Sequence, residues 1–453
     1  MKKCRSSSFL PFSRSGTACL LTGLCCLCAA LLAGQATAHA LQKPHNTGPI
    51  TAEVFNPAGL RQDYVYVDTL LRSIMDDAQI TEPPLTGKFP DTDVESVTVK
   101  DISRLDEEIT ELFLKRGWTD GLPIVAPTWD RVQRMLKGTH LDRAQEIAVL
   151  APMGGVATVE KIAANAVMAG CRPEYMPVLI AAVQAVADPA FDLTGLSTST
   201  SPDVPLIIIT GPITEQLGLN AGGNVMGRGN RGNSTIGRAL QLIINNIGGS
   251  RPKINDMSVL GSPAEYGMVL LENTRDNPWT LFNEDLGLPK DVSAVTLMGA
   301  GGEHTIIGHG WDAQGILELM GRHMHGFAYQ RPYWNTMLLV VATDTGHQLA
   351  KAGYDKAKIR DFLMKSNPMD RKAFADWFAD FRMDDWRKIL EEREGQQTIY
   401  CPVIDNFMIL YAGGPGGMKN KLIPGWLFST GPVTRRIELP RNWDERLKEL
   451  KKE

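Results

Sequence analysis

A glycine-rich loop holds the densest set of residues that could bind a ligand. Seven of the twenty residues at positions 218–237 are glycine, and glycine is favoured where φ is positive or where a ligand approaches the backbone closely. Amide side chains and arginines lie between these glycines, and a guanidinium group offers paired donors to a carboxylate or phosphate. The pattern predicts a site for a small organic anion, with the binding residues Asn224, Arg228, Arg231, Asn233 and Ser234.

An amphipathic helix follows this loop directly. Apolar residues recur at helical spacing from position 236 to 247, and two glycines at 248 and 249 end the pattern. Asn233 or Ser234 is the predicted N-cap. A helix N-terminus favours negative charge, in agreement with an anion site. The alternative is a structural loop whose arginines pair with nearby acids or contact a second subunit.

The same loop contains a literal GxGxxG motif at Gly227, Gly229 and Gly232. A dinucleotide-binding motif follows a strand and opens a helix within a βαβ unit that has an acidic residue at its end. Here the segment LNAGGNVM precedes the motif, and no such unit surrounds it. NAD is therefore not the expected cofactor.

Four of the eight histidines lie within twenty-two residues, at positions 304, 309, 323 and 325. Imidazole combined with carboxylate suits zinc, iron or nickel, so His304 and His309 are candidate ligands of a divalent metal. Their spacing is not that of the HExxH motif. Each of the two rings is equally a candidate catalytic acid or base, and a structural role is the third interpretation.

Cys171 is a further candidate catalytic residue. It follows a glycine that ends a predicted helix and precedes Arg172. A nearby cation lowers the pKa of a thiol and favours the nucleophilic thiolate, yet a single cysteine between apolar helices is also typical of a small buried hydrophobic residue. Cys401 is predicted to pack within a strand, and an oxidising compartment would permit a bridge between the two cysteines.

The elements that must position these residues alternate between strands, glycine turns and helices. The apolar segments PLIIIT, MLLVV and NFMILY predict buried strands, and the repeated order of elements predicts an α/β fold with a largely parallel sheet. Ligands of such sheets bind beyond the carboxyl ends of the strands. We therefore expect the glycine turns at 211–233, 299–310 and 413–417 to meet at one place.

Composition divides the chain into four parts. Residues 1–40 combine four basic residues, an apolar run and small residues, which is the pattern of a secretory signal peptide cleaved after Ala40 or, as the alternative, after Ala38. Residues 41–100 are predicted to form an extended N-terminal arm and residues 101–290 an α/β domain with the glycine-rich loop. Residues 291–453 are predicted to form a second α/β part with a helical insertion at 366–395. We expect a periplasmic or secreted protein.

Charge and cysteine content restrict the partners. After the leader, 43 basic and 51 acidic residues remain, a formal charge of −8, and no basic stripe for nucleic acid is visible. No later segment is apolar over the length that a membrane span requires. Five of the seven cysteines lie in the leader, which excludes a disulfide framework. The arm and the Trp-containing insertion predict contacts within a homo-oligomer.

Three segments resemble a known family: DGLPIVAPT, ATVEKIAANAVMAGCRPEYMPV and the glycine-rich block at 217–249. They are similar to the body of UGSC-family (seleno)proteins, which are distantly grouped with glycine-reductase-type selenoprotein components. The similarity spans residues 117–280 and, more weakly, the glycine-rich segment near 413. Members carry a Cys- or selenocysteine-Gly-Ser-Cys element, whereas the chain after residue 40 has neither CGSC nor CxxC. The resemblance thus includes Cys171 and the 218–237 loop, but it does not imply thiol–disulfide chemistry.

These features together predict an exported enzyme that acts on a small organic anion. The loop would bind the anion, and His304, His309 or Cys171 would act on it, with a divalent metal as the candidate cofactor. The alternative is a non-catalytic periplasmic protein that binds the anion or serves in assembly. Two-lobed binding proteins have two similar halves, and since no internal duplication is visible in the sequence, we favour the enzyme.

Overall fold

The computed structural model describes residues 49–58, 94–308, 310–330, 336–366, 368–372, 398–400, 406–426 and 429–452. The predicted signal peptide with its cleavage site, much of the N-terminal arm, His309, Cys401 and most of the predicted 366–395 insertion lie outside these residues. Within the described ranges, no helix has the length and apolar character needed to cross a bilayer.

Strands and helices are interspersed along the described parts of the chain. The strands are β1 Ile50–Phe55, β2 Val94–Val99, β3 Glu146–Leu150, β4 Gly155–Thr158, β5 Val204–Thr210, β6 Met268–Leu271, β7 Ala294–Ala300, β8 His304–Gly308, β9 Thr336–Val341, β10 Pro368–Asp370, β11 Thr398–Tyr400, β12 Asn406–Tyr411, β13 Met418–Pro424 and β14 Val433–Arg436. The helices are α1 Leu105–Lys115, α2 Trp129–Leu136, α3 Val159–Ala169, α4 Met176–Val186, α5 Leu193–Ser197, α6 Ile213–Gln216, α7 Arg231–Ile243, α8 Phe282–Asp285, α9 Ala313–Gln330, α10 Thr343–Lys351, α11 Lys356–Lys365 and α12 Trp443–Leu450.

Helices and mixed sheets make up the structure, but the largely parallel sheet that the sequence predicts is not confirmed. Two four-stranded sheets have the orders β14-β7-β5-β6 and β12-β9-β13-β8. Each contains one parallel pair, β5 with β6 or β9 with β12, and two antiparallel pairs. The turn from β12 to β13 explains part of the difference. It contains only residues 412–417, whereas a parallel connection needs a dozen or more residues, so β13 returns antiparallel.

The two sheets follow the same strand plan, which is a duplication that we do not see in the sequence. In the first sheet, β5 is parallel to β6 and antiparallel to β7, which in turn pairs with β14. In the second, β9 is parallel to β12 and antiparallel to β13, which in turn pairs with β8. Helices α6 and α7 connect β5 to β6, and α10 and α11 lie between β9 and β12. The strand topology is therefore duplicated although no internal duplication is visible in the sequence.

Each half of the chain, β5–β8 or β9–β14, contributes its last strand to the sheet of the other half. Strand β8 follows β7 along the chain but belongs to the second sheet, while β14 follows β13 but belongs to the first. Where the connections cross, the amide of Gly301 donates to the carbonyl of Pro424 and the amide of Trp426 donates to that of Gly299, both at 3.0 Å. Strands from both sides of residue 290, the predicted domain boundary, consequently share one sheet.

The second sheet separates two hydrophobic cores. Successive side chains of a strand point to opposite faces, and in β9 Leu338 and Val340 lie in the larger core together with the first sheet. Met337 and Leu339 lie in the smaller core, where they pack with apolar residues of α9 and α11. The sheet is thus covered on both faces, and this explains why β9 is buried at every position and apolar from Met337 to Val341.

Helix α7 begins where the glycine-rich loop ends. The predicted apolar stripe is confirmed, since Ile236, Leu240 and Ile243 are buried. The predicted N-cap is wrong: Asn230 caps the helix and accepts from the amide of Asn233. Asparagine occurs at both positions, and either could cap a helix.

Candidate functional site

The three glycine turns meet, as the sequence predicts, in a cleft of about 400 Å³ that we call the glycine cleft. It is lined by residues 223–227, 303, 340, 342, 412–417, 419 and 421. The parallel strands β9 and β12 end here. The amide of Gly413 donates to the carbonyl of Ala221 at 3.0 Å, and a Cβ added to Gly414 would lie 2.8 Å from the nitrogen of Gly223. The two glycine segments are therefore in backbone-to-backbone contact.

In the glycine turn at 413–417, backbone amides already bind a carboxylate of the protein itself. Asp344, in the first turn of α10, accepts from the amides of Gly416 and Gly417 at 3.0 and 2.7 Å. These two hydrogen bonds lower the pKa of Asp344 because they stabilise its charged form. The backbone donors that could receive an external anion here are thus bound to an internal one.

Amide and hydroxyl groups of the predicted anion-binding loop bind the loop backbone. Asn233 is buried; its Nδ2 donates to the carbonyls of Asn220 and Val225, and its Oδ1 accepts from the amide of Asn220. Asn224 has a φ of 61° and donates to the carbonyl of Arg228. Ser234 donates to the carbonyl of Asn230 at 3.0 Å. Asn233 and Ser234 therefore organise the loop and the first turn of α7, rather than offering their groups to a ligand.

The two arginines of the predicted site have different surroundings. Arg228 is exposed and does not line the glycine cleft, although its neighbours Asn224 and Gly227 do. Arg231 instead lines a second cleft, on the side of Cys171, and its Nε donates to the carbonyl of Gly170 at 2.9 Å. Of the residues predicted to form one anion site, Asn224 thus lines the glycine cleft and Arg231 the second cleft, and the other three line neither.

The second cleft has a volume of about 370 Å³ and is surrounded by basic side chains. We call it the cationic cleft; its basic residues are Arg131, Arg134, Arg172, Arg231 and Lys451. Helix α3 ends at Gly170, whose left-handed φ of 84° turns the chain, and a Cys-Arg-Pro corner leads into the short 3-10 helix Pro173–Tyr175. Helix α2 supplies two arginines from one face, α7 supplies one, and the residue after α12 supplies the lysine.

Sequence analysis named Arg231, Cys171 and its neighbour Arg172 but missed the other basic residues of this cleft, Arg131, Arg134 and Lys451. Arg131 and Arg134 lie three residues apart on α2, so that they share a helix face, and this spacing is visible in the sequence. Lys451 comes from the far end of the chain, and nothing in the sequence pattern predicts its approach.

Burial gives Cys171 the properties of a structural residue. It is 6% exposed, and its thiol donates to the carbonyl of Thr235 at 3.2 Å. Burial raises the pKa of Cys171 to about 12, while the hydrogen bond to Thr235 and the charges of Arg231 and Arg238 act in the opposite direction. Since the thiolate is the nucleophile, the geometry does not support the predicted nucleophilic role at neutral pH.

Glu174 is the one carboxylate among the described residues that line the cationic cleft. It is 2% exposed. Its Oε1 lies 3.8 Å from an Nη of Arg172, and its Oε2 has no hydrogen-bond partner within the described part of the chain. A buried carboxylate oxygen without a donor is costly, and Glu174 was not a candidate in the sequence.

His304 lies in β8 and pairs with His323 of α9. Nε2 of His304 and Nδ1 of His323 are 2.9 Å apart, and burial, followed by the charge of His304, lowers the pKa of His323. The described residues contain no group of three or more His, Cys, Asp or Glu side chains placed to hold a metal ion, and His309 lies outside them. The predicted metal site therefore stays a prediction, and neither His304 nor His323 lines the cationic or the glycine cleft.

A third cleft, of about 440 Å³, has an acidic lining. Its carboxylates are Asp120, Asp203, Asp256 and Glu265, and the hydroxyl groups of Ser197 and Ser201 belong to residues that also line it. Burial, together with the charge of Glu265, raises the pKa of Asp256 to about 6. Ser197 and Ser201 thus line a cleft different from that of the glycine turns.

The glycine-rich loop accordingly separates into a structural part around Asn233 and a cleft-lining part at Arg231. The chain matches no known protein family profile and no curated protein sequence.

Proposed function

We propose that the protein is an exported enzyme that binds a small organic anion in the cationic cleft and acts on it. The clustering of five basic side chains around one cleft carries this proposal. Guanidinium groups recognise carboxylate and phosphate through paired hydrogen bonds, and the volume of about 370 Å³ lies within the range of small-molecule sites. Export is the expectation that the leader sequence supports.

The charge balance of the cleft supports an anionic ligand. Arg131 is paired with Asp106, and the charge of Arg172 is opposed by Glu174 at 3.8 Å. Arg134 is exposed, and among the described residues its side chain has no ion pair. Arg231 donates to a neutral carbonyl and lies close enough to Cys171 to affect its pKa. A bound anion would offset the mutual repulsion of these like charges.

The second candidate function is non-catalytic binding of the same anion. The duplicated strand plan of the two sheets favours it, because two similar halves are typical of periplasmic binding proteins. The enzyme is supported by the buried Glu174 beside the cationic groups, since a carboxylate in such a place can take or give a proton. Incubation of the protein with a ligand that binds, followed by NMR of the ligand, separates the two: conversion supports the enzyme, and an unchanged spectrum supports the binding protein.

The cleft itself is tested with two matched arginine variants. Arg231→Met removes a guanidinium group from the cleft, whereas Arg228→Met removes one three residues away that does not line it. With succinate as the probe in isothermal titration calorimetry, we expect Arg231→Met to weaken binding about tenfold or more, since a hydrogen bond to a charged group contributes about 1.5–3 kcal/mol. Arg228→Met should bind within about twofold of the wild type.

A second variant guards against a structural effect, because Arg231 also holds the carbonyl of Gly170. Arg134→Met loses no hydrogen bond within the described chain and should also weaken succinate binding. An equal loss of succinate affinity in the Arg228 and Arg231 variants would show that the site lies outside the cationic cleft. Failure of the wild type to bind succinate, malate, aspartate and inorganic phosphate would contradict the proposal.

A further inference from the structure

The cationic cleft contains one group that a simple anion cannot satisfy. Glu174 lines the cleft, is 2% exposed, and has an Oε2 without a hydrogen-bond donor among the described residues. An ionised carboxylate in a buried site is stable only when it is paired and hydrogen-bonded. A second carboxylate brought in by the ligand would repel it, whereas a donor on the ligand would satisfy it.

Arg172 does not supply this donor. Its nearest guanidinium nitrogen lies 3.8 Å from Oε1 of Glu174, which is longer than a hydrogen bond, and its side chain is 52% exposed. Arg131 is bound to Asp106 and to the carbonyl of Ala126. Lys451 donates to the carbonyl of Gln216 at 2.7 Å. The basic groups around the cleft therefore leave Oε2 of Glu174 without a donor in the described structure.

We propose that the ligand of the cationic cleft is an amino carboxylate, whose carboxylate binds the arginines and whose protonated amine binds Glu174. This inference rests on the proposed anion site and adds a second charged group of the ligand, the amine. The pairing follows from charge: a protonated amine offers up to three donors and a positive charge, so that it both hydrogen-bonds Oε2 and neutralises the buried carboxylate. A hydroxyl group could donate one hydrogen bond but would leave the charge of Glu174 uncompensated.

Three four-carbon dicarboxylates that differ at one position test this inference. Succinate has no donor at its second carbon, malate has a hydroxyl and aspartate has an amine, while all three carry two carboxylates. We expect calorimetry to show aspartate bound at least tenfold more tightly than succinate, with malate between them, because hydrogen bonds to charged groups are the strong ones. Both enantiomers of aspartate should be measured, since the cleft is chiral.

The variant Glu174→Gln keeps the size of the side chain and removes its charge. We expect it to bind succinate as tightly as the wild type or more tightly, and to lose the preference for aspartate. Glu215→Gln, at a carboxylate that is 64% exposed and outside the cleft, is the matched control and should keep that preference. Thermal unfolding of both variants checks that the fold is intact.

The outcomes separate this inference from the proposed function. Equal binding of succinate, malate and aspartate, or a preference for aspartate that persists in Glu174→Gln, overturns the amino carboxylate and leaves the anion site standing. Malate bound as tightly as aspartate overturns the role of the amine. Absence of binding by all three overturns the amino carboxylate, and absence of phosphate binding as well overturns the anion site.

Discussion

Two histidines on different elements share a hydrogen bond, and their protonation is coupled to the fold. His304 and His323 meet at 2.9 Å, and only one of two such rings can donate to the other while both are neutral. Protonation of both rings would replace this hydrogen bond by repulsion. Residue types alone indicated a histidine cluster at 304–325, but they gave no sign that the strand residue would contact the helix residue nineteen positions later.

This pair predicts a loss of stability on acidification. The pKa of His323 is lowered in the folded state from its usual 6.5, so that the unfolded chain takes up the proton first as the pH falls. Above about pH 6.5 both states are neutral at this residue and it contributes nothing. Below that, the free energy of unfolding falls until the folded ring is also protonated. Urea unfolding of the wild type between pH 7.5 and 5.5 should therefore show a larger loss than His323→Gln.

His140→Gln is the control for this experiment, since His140 is exposed and lies outside the pair. Equal losses in the wild type and in His323→Gln would show that the pair does not contribute to the acid dependence.

Helix α7 packs unusually close to the chain that leads into β6. A Cβ added to Gly237 would lie 3.0 Å from the carbonyl carbon of Gly267 and from the nitrogen of Met268. Glycine is generally unfavourable within a helix, and the close approach accounts for its presence at this position. The position of α7 in turn determines where Arg231 stands at the edge of the cationic cleft.

We expect Gly237→Ala to destabilise the protein by about 1–2 kcal/mol, because overpacking against a rigid backbone exceeds the gain in helix propensity. Gly326→Ala is the matched control. Gly326 lies within α9, is exposed, and an added Cβ would meet no atom within 4 Å. This variant should stabilise the protein by about 0.5–1 kcal/mol. Urea unfolding measures both, and a stabilising effect of Gly237→Ala would contradict the close packing.

Apolar pattern predicted individual elements better than it predicted their pairing. The buried segments of β5, β9 and β12 and the stripe of α7 are where the sequence places them. The direction of pairing depends on connection length and on distant partners: β7 pairs with β14, from the last part of the chain. The same limit applies to the site. The loop sequence indicated Arg231, while Lys451 and Glu174 reach the cleft only through the tertiary fold.

At the scale of the whole molecule, the exchange of β8 and β14 ties the two sheets together. Each half supplies one strand to the sheet of the other, and the second sheet has a face in each core. Without the strand from the other half, β7 and β13 would each have one unpaired edge. Unpaired edges are open to association with other chains.

Two fragments divided between α9 and β9 should therefore assemble with each other. The N-terminal fragment contains β8 and lacks β14, while the C-terminal fragment contains β14 and lacks β8. Because each fragment has the missing strand of its partner, we expect co-expressed fragments to form a soluble one-to-one complex. Each fragment alone should aggregate or self-associate, which size-exclusion chromatography with light scattering would show. Stable monomers of either fragment would contradict this expectation.

The pairing of Val433 with Leu297 also has a consequence for the order of folding. The first sheet receives its fourth strand from the end of the chain, so that it cannot close during synthesis until nearly all residues are available. Contacts between distant residues slow folding because a long loop must close first. A chain that is slow to fold stays unfolded for longer, and this would favour the export that we propose for the protein.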